Sequence, residues 1–406
     1  EISLGLVGSE MCIRDRRYGK NFIPKDMTIQ DFGVSYEELE PFFDYAEKVF
    51  GTSGQAWTVK GQLVGEGRGG NPYAPDRSNP FPLESQKNTV SAQLFQKAAT
   101  DVGYKPYNLP SANTSGPYTN PYGAQMGPCN FCGFCSGYVC YMYSKASPNV
   151  NILPALRQVP NFELRANSHV LKVNLDSTKS KATGVTYIDA QGRECEQPAD
   201  LVIIASFQFN NVRLMLLSGI GKPYDPITNE GVVGRNFAYQ NMGTIKAFFD
   251  KDTHTNNFIG AGGNGVAIDD FNADNFDHGP HGFVGGSPMW VNQAGSRPIA
   301  GTSNPPGTPA WGSAWKRATA DYYTHQVSMD SHGAHQSYRS NYLDLDPVYR
   351  DCYGLPLLRM TFDWQENDIK MNRFMMEKMG KVAAAMNPKA IAVLGKKVGE
   401  QFNTAS

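Results

Sequence analysis

Residues 127–140 read Gly-Pro-Cys-Asn-Phe-Cys-Gly-Phe-Cys-Ser-Gly-Tyr-Val-Cys, which places Cys129, Cys132, Cys135 and Cys140 in the spacing C-x2-C-x2-C-x4-C. Thiols this dense suit ligation. Two-residue spacing lets the backbone curl so that neighbouring sulfurs face one centre, and Gly133 and Gly137 permit the positive φ that curling requires. The stretch holds no acid, base or histidine, so thiolates are its local ligands. Short C-x2-C-x2-C runs favour an iron–sulfur cluster. Structural zinc is a weaker reading, since its paired knuckles are usually separated by a loop of about 12 or more residues. Disulfides or unligated thiols form the third reading, disfavoured because four cysteines in one turn-rich segment strain the geometry. Spacing does not decide whether three or four of these thiols are ligands.

Other residues carry weaker chemical signals. His332 and His335 lie beside Ser331, Ser337, Arg339 and Asn341, whose hydroxyl, guanidinium and amide groups can bind a polyol or a carboxylate. Against this stands the plainer reading of solvated or hydrogen-bonded loop histidines. The plainer reading is the better one there, as it is for His278, His281, Asp274 and Asp277, which suggest a metal site but lack a convincing ligand geometry. Residues 260–265 satisfy G-x-G-x-x-G, yet the dinucleotide version must follow a buried strand and open a helix. Here polar residues precede it and Asp269-Asp270-Phe271-Asn272 follows, so it reads as a Gly-rich loop.

The elements that must position these residues follow from periodicity. Ser35 and Glu38 form a capping box opening a helix through Phe50, with Leu39, Phe42, Phe43, Ala46 and Val49 as its expected core stripe and Gly51 as its stop. A second helical pattern runs through Val90, Leu94, Phe95 and Ala98. After the cysteines a short helix is expected at 152–156, then strands at 162–166, 169–175, 184–189 and 199–206. The run 201–205 (Leu-Val-Ile-Ile-Ala) has the continuous apolar character of a strand covered on both faces. A helix at 210–217 follows, closed by Gly219. This is the closing part of a nucleotide-binding α/β domain, without its phosphate-binding turn. Residues 279–315 read as irregular but packed, residues 357–362 as a strand, and Met371, Phe374, Met375, Val382 and Met386 as the core stripe of a final long helix. No closing element is evident after it.

With 406 residues, 40% of them hydrophobic, the chain can hold two or more domains, while 41 glycines and 26 prolines imply long ordered loops. A formal net charge of −1 gives no electrostatic case for nucleic acid. No run approaches the roughly 20 apolar residues of a membrane span, and no signal peptide is visible. Residues 1–16 resemble translated sequencing-adapter read-through and are set aside, Cys12 with them.

Several segments resemble the large flavoprotein subunit of gluconate 2-dehydrogenase-type enzymes, within the glucose–methanol–choline (GMC) oxidoreductase family. They are residues 28–34, the cysteine segment with 144–147, then 199–206, 217–221, 234–236 and, most specifically, 337–347 (Ser-Tyr-Arg-Ser-Asn-Tyr-Leu-Asp-Leu-Asp-Pro). The resemblance implies an α/β (α+β) fold in which a partial FAD-binding domain is interleaved with an antiparallel-sheet substrate domain. The corresponding division is 17–125 connecting region, 126–148 cysteine segment, 149–240 FAD-binding portion and 241–406 substrate domain.

It further implies hydride transfer from a hydroxyl of a sugar, polyol or sugar acid to FAD. Electrons then pass through a trinuclear [3Fe-4S] cluster on the cysteine segment to a cytochrome c subunit. A small subunit completes such complexes, on the periplasmic side of the bacterial inner membrane. Val170 matches the position contacting the adenine, with Ala205 and Ser206 near the same end of the cofactor. The family's G-x-G-x-x-G turn is expected upstream of Arg17 and its catalytic His/Asn pair downstream of Ser406. The chain is therefore expected to be an inner portion of a longer protein, with weak or no FAD binding and no turnover alone. The competing functions are a non-enzymatic zinc module and a GMC oxidase whose cysteines have no role.

Overall fold

The computed structural model describes residues 22–29, 33–133, 135, 137–255, 260, 264–292 and 303–394. Residues 1–16, and 261–263 of the Gly-rich motif, lie outside the described residues.

Helix α1 (Tyr36–Phe50) opens with the expected reciprocal cap, Ser35 Oγ accepting from Glu38 N and Glu38 accepting from Ser35 N. Gly51 ends it in the left-handed conformation (φ 62°). Of the expected core stripe, Val49 is buried and Leu39, Phe43 and Ala46 are half-buried. Phe42 is 71% exposed, whereas Glu40 and Asp44 are buried. The reason lies in the loop at 76–79. Ser78 donates to Glu40 from its backbone N and its hydroxyl, Arg77 forms a two-pronged ion pair with Glu47, and Asn79 donates to Asp44. A helix face of acids becomes the inner face when a loop supplies its donors.

Helix α2 (Val90–Asp101) and strand β1 (Pro106–Asn108) follow, and Phe95, Ala98 and Ala99 of α2 enter the main core. Beyond the cysteine segment come two helical turns, Pro148–Asn151 and Leu153–Leu156, where one was expected. Residues 162–166 form no strand: Arg165 is drawn into an ion pair with Glu163 and a bond to the Tyr187 hydroxyl. Strands β2 (His169–Leu175), β3 (Ala182–Ile188) and β4 (Glu194–Pro198) make an antiparallel meander in the order β2-β3-β4.

The run 201–205 forms no strand and pairs with no described strand, and it is not covered on both faces. Leu201 and Ile203 are 76% and 78% exposed, while Val202 and Ile204 are half-buried. Only one face is packed. It feeds α3 (Gln208–Ser218), stopped as expected by Gly219 at φ 67°. Ser218 Oγ of α3 accepts from Val173 N of β2 at 2.8 Å, tying helix to meander.

The second half is organised by one antiparallel sheet. Its strands are β5 (Gln240–Phe248), β6 (Gly265–Ile268), β7 (Met289–Asn292), β8 (Gln326–Ala334) and β11 (Ala390–Leu394). The order across the sheet is β11-β5-β8-β7-β6-β1, so β1 crosses over from the first half. Helix α4 (Ser313–Tyr322), a separate hairpin of β9 (Tyr342–Arg350) and β10 (Pro356–Thr361), and helix α5 (Glu366–Ala385) complete it. Met371, Met375, Met379 and Val382 of α5 are at most 1% exposed and pack with α2 against Ile245, Val266, Val291 and Met329 of the sheet. The methionine stripe is core, as its spacing predicts. Strand β11, at one edge of this sheet after α5, is an element that the sequence pattern did not reveal.

Candidate functional site

The cysteine segment is pinned at both ends. Cys129 N donates to Thr114 O at 2.8 Å, Thr114 Oγ1 to Gly127 O at 2.6 Å, and Ala146 N to Ala112 O at 2.8 Å. Gly127 passes so close to Met142 that an added Cβ would lie 2.6 Å from its carbonyl oxygen, which only glycine tolerates. The curl expected at both glycines occurs at Gly137 (φ 79°), while among the described residues of the segment Phe131 (φ 55°), not Gly133, is also left-handed. The Lys145 ammonium donates to Cys135 O at 2.8 Å and Tyr138 O at 2.9 Å, which places a positive charge inside the loop.

Cys135 is buried and Cys129, Cys132 and Cys140 half-buried, and none is in a disulfide. Burial pushes the Cys129 thiol up, a bond from Phe131 N–H pulls it down, and Cys135, Cys140 and Cys132 each raise it further. The other three sulfurs therefore lie within electrostatic reach of Cys129. A set of four thiols with a backbone N–H directed at one sulfur fits the donor chemistry of an iron–sulfur cluster. The loop is not drawn in to ligand geometry: among the described residues no three His, Cys, Asp or Glu side chains form a metal-binding group. An open cleft of about 310 Å³ lies beside it, lined by Lys87, Asn88, Thr89, Val90, Gln93, Phe131 and Thr255.

The three cofactor candidates fall on accessible backbone. Val170 sits on β2 opposite Tyr187 and is 39% exposed. Ala205 and Ser206 are exposed at the end of the apolar run, immediately before α3. Ser206 N donates to Asn211 Oδ1 at 2.6 Å, and Phe207 adopts φ 74° at a helix start that has no side-chain cap. The first turn of α3, without a side-chain cap, leaves backbone N–H groups open to a polar ligand.

The polar set at 331–341 is divided by the fold. His332 is half-buried on one face of the sheet, edge-on to Trp290 with ring centroids 4.5 Å apart. Ser331, His335 and Asn341 are buried and do not line a surface. His335 is enclosed by the rings of Phe362, Trp364 and Tyr338. Its Nδ1 accepts from Tyr239 N at 3.4 Å, so the neutral ring carries its proton on Nε2, 3.4 Å from Asp368 Oδ2. Burial pushes His335 down to about 4 and Asp368 up to about 7. Asp368 Oδ1 and the Tyr338 hydroxyl find no hydrogen-bond partner among the described residues. With Nδ1 committed to the backbone, His335 has no lone pair for a substrate proton. Its role is structural.

The metal reading of the other histidines does not arise either. His278 is fully buried with Nε2 2.7 Å from Ala273 O, and His281 packs on Phe374 and Phe283. The residues that periodicity could have singled out are Thr244, Lys246 and Asp330. They alternate with Ile245, Ala247 and Met329 along β5 and β8, a period-2 signal for one buried and one open face.

Residues 29–242, more than half of the chain, match the GMC oxidoreductase family, and the chain belongs to it. Its architecture is mixed α/β, with a GMC-type first half and separate antiparallel sheets in the second. The chain is similar to the gluconate 2-dehydrogenase flavoprotein of Pantoea cypripedii, with 73% identity over 390 residues, 96% of this chain and 63% of that protein. It is also similar to the 2-methyl-1,2-propanediol dehydrogenase of Mycolicibacterium austroafricanum, with 23% identity over 88% of this chain and 60% of the relative. The chain thus spans a little under two thirds of the length of these two curated relatives. A solved formate oxidase of Aspergillus oryzae RIB40 covers 76% of this chain, and 60% of its own length, at 12% identity and a TM-score of 0.44.

Proposed function

We propose that this chain serves an FAD-dependent dehydrogenase that oxidises a hydroxyl of a sugar acid of the gluconate type and passes the electrons on singly to a cytochrome c subunit. The observation that carries this reading is the high identity to the Pantoea flavoprotein across nearly the whole chain. Bound FAD supplies the hydride acceptor. Val170, Ala205 and Ser206 would line it. The exposure of these three positions and the uncapped start of α3 support that role.

Cys129, Cys132, Cys135 and Cys140 would supply the ligands of the iron–sulfur cluster, a [3Fe-4S] cluster taking three of the four, with Lys145 offsetting negative charge in the loop. The four neighbouring thiols and the N–H directed at Cys129 support this assignment. We assign 149–240 to the FAD-binding portion and 241–406 to the substrate domain. No helix among the described residues is long and apolar enough to cross a membrane. Placement at the periplasmic face through a small subunit and a cytochrome subunit is part of the same proposal. Metal analysis of anaerobically prepared protein tests the cluster. Iron with matching acid-labile sulfide is expected, and zinc in its place would overturn the electron path.

A further inference from the structure

The two faces of the six-stranded sheet differ in character. Ile245, Ala247, Val327 and Met329 point to α5 and are at most 1% exposed. On the opposite face, alternation places Thr244 and Lys246 of β5, Asp330 and His332 of β8, and Trp290 of β7, all half-buried. The register sets Thr244, Asp330 and Trp290 directly across three neighbouring strands, with Lys246 opposite Ser328 two residues along. Thr244 Oγ1 donates to Asp330 Oδ1 at 2.6 Å and fixes that carboxylate. Lys246 Nζ donates to Ser303 Oγ at 2.8 Å.

We propose that this face is the recognition surface for a polyhydroxylated carboxylate, with Lys246 the residue that selects the acid over the neutral polyol. The Lys246 ammonium takes the carboxylate, Asp330 accepts from chain hydroxyls, and Trp290 offers a ring to the C–H side. Lys246 and Asp330 are diagonal neighbours on paired strands, about 7–8 Å apart at the backbone, a span comparable to an extended six-carbon acid. Burial disfavours the Lys246 charge and Asp330 only partly offsets this. An incoming anion therefore improves the position of a cation that the fold leaves half-dry.

This inference deepens the sugar-acid reading and rests on it. The test is titration of the protein with gluconate and, separately, with glucitol, followed by calorimetry, for wild type, Lys246→Met and Lys246→Arg. Lys246→Met is expected to weaken gluconate by about 10- to 100-fold, the range for loss of a charge-assisted bond, and to change glucitol by less than about 3-fold. Lys246→Arg is expected to restore most of the loss. Equal weakening of both ligands, no weakening of gluconate, or wild-type binding of glucitol alone would overturn the proposal. If Lys246→Met does not fold, Lys246→Gln is read by the same criteria. Gluconate selectivity that depends on Lys246, in a holoenzyme whose flavin no sugar acid reduces, would retain the site and remove the dehydrogenase reading. Flavin reduction by gluconate undiminished in Lys246→Met would do the reverse.

Discussion

Replacing Asp368 by Asn should make the protein more stable at alkaline pH, against the usual expectation for a helix-capping acid. Asp368 forms a capping box with Gln365, and its side chain is fully buried beside neutral His335. Burial raises its carboxyl from 3.8 to about 7. An acid whose folded-state pKa lies above its unfolded value binds protons more tightly when folded. Its ionisation therefore removes stability as pH rises from about 4 through about 7. A three-unit shift corresponds to about 4 kcal/mol once both states are ionised, of which about 3 kcal/mol falls between pH 5 and pH 8. Asn removes that dependence and loses about 1–2 kcal/mol of capping and hydrogen bonding at every pH. The His335 contribution is common to both proteins and cancels in the difference. The variant should be close to wild type at pH 5 and about 2 kcal/mol more stable at pH 8. Urea unfolding at four pH values measures this. A difference independent of pH, or a variant less stable at pH 8, would refute the assignment of Asp368 as a buried acid whose carboxyl is raised well above its ordinary range.

Three further outcomes follow from the same structure. Arg77→Met strands Glu47 on α1 and should cost about 2–3 kcal/mol in thermal unfolding, whereas Phe42→Ser, at an exposed position, should stay within about 0.5 kcal/mol. Gly234→Ala should be severely destabilising, because Gly234 has φ 93° and an added Cβ would lie 2.0 Å from Leu343 O; soluble yield and unfolding midpoint report it. Met375→Ala, at a 1% exposed core position, should cost about 2–5 kcal/mol in the same assay.

Local patterns carried much of this fold. The Ser35/Glu38 cap, the Gly219 stop, the β2–β3 pair and the methionine stripe of α5 are each specified by residues within a few positions of one another. What escaped was set by distant partners. The inward acids of α1 depend on Arg77, Ser78 and Asn79, 30 to 38 residues away, so the helix pattern alone pointed to its aromatic side. The run 201–205 has the composition of a doubly covered strand, but composition does not supply a pairing partner. Strand β11 is five residues long, and Ile391 and Val393 were its only β-branched signal.

In the candidate site, spacing identified the four cysteines but not the loop's curl, since Phe131 takes the left-handed turn that Gly133 was expected to make. The cluster at 331–341 was legible as polar residues close in sequence. Their separation into a buried His335 and a half-open His332 follows from the end of β8 at Ala334, after which strand alternation no longer governs where side chains point.

The central claim is an electron path from a sugar acid through the flavin to the cysteine segment and out to a haem acceptor. The most direct test is anaerobic mixing of gluconate with the holoenzyme assembled from the full-length protein that contains this chain, with flavin and acceptor reduction followed together in wild type and Cys135→Ser. The account predicts that both proteins show flavin reduction and that only wild type reduces the haem acceptor. Equal acceptor reduction by the two proteins, or a flavin that gluconate leaves oxidised, would contradict it.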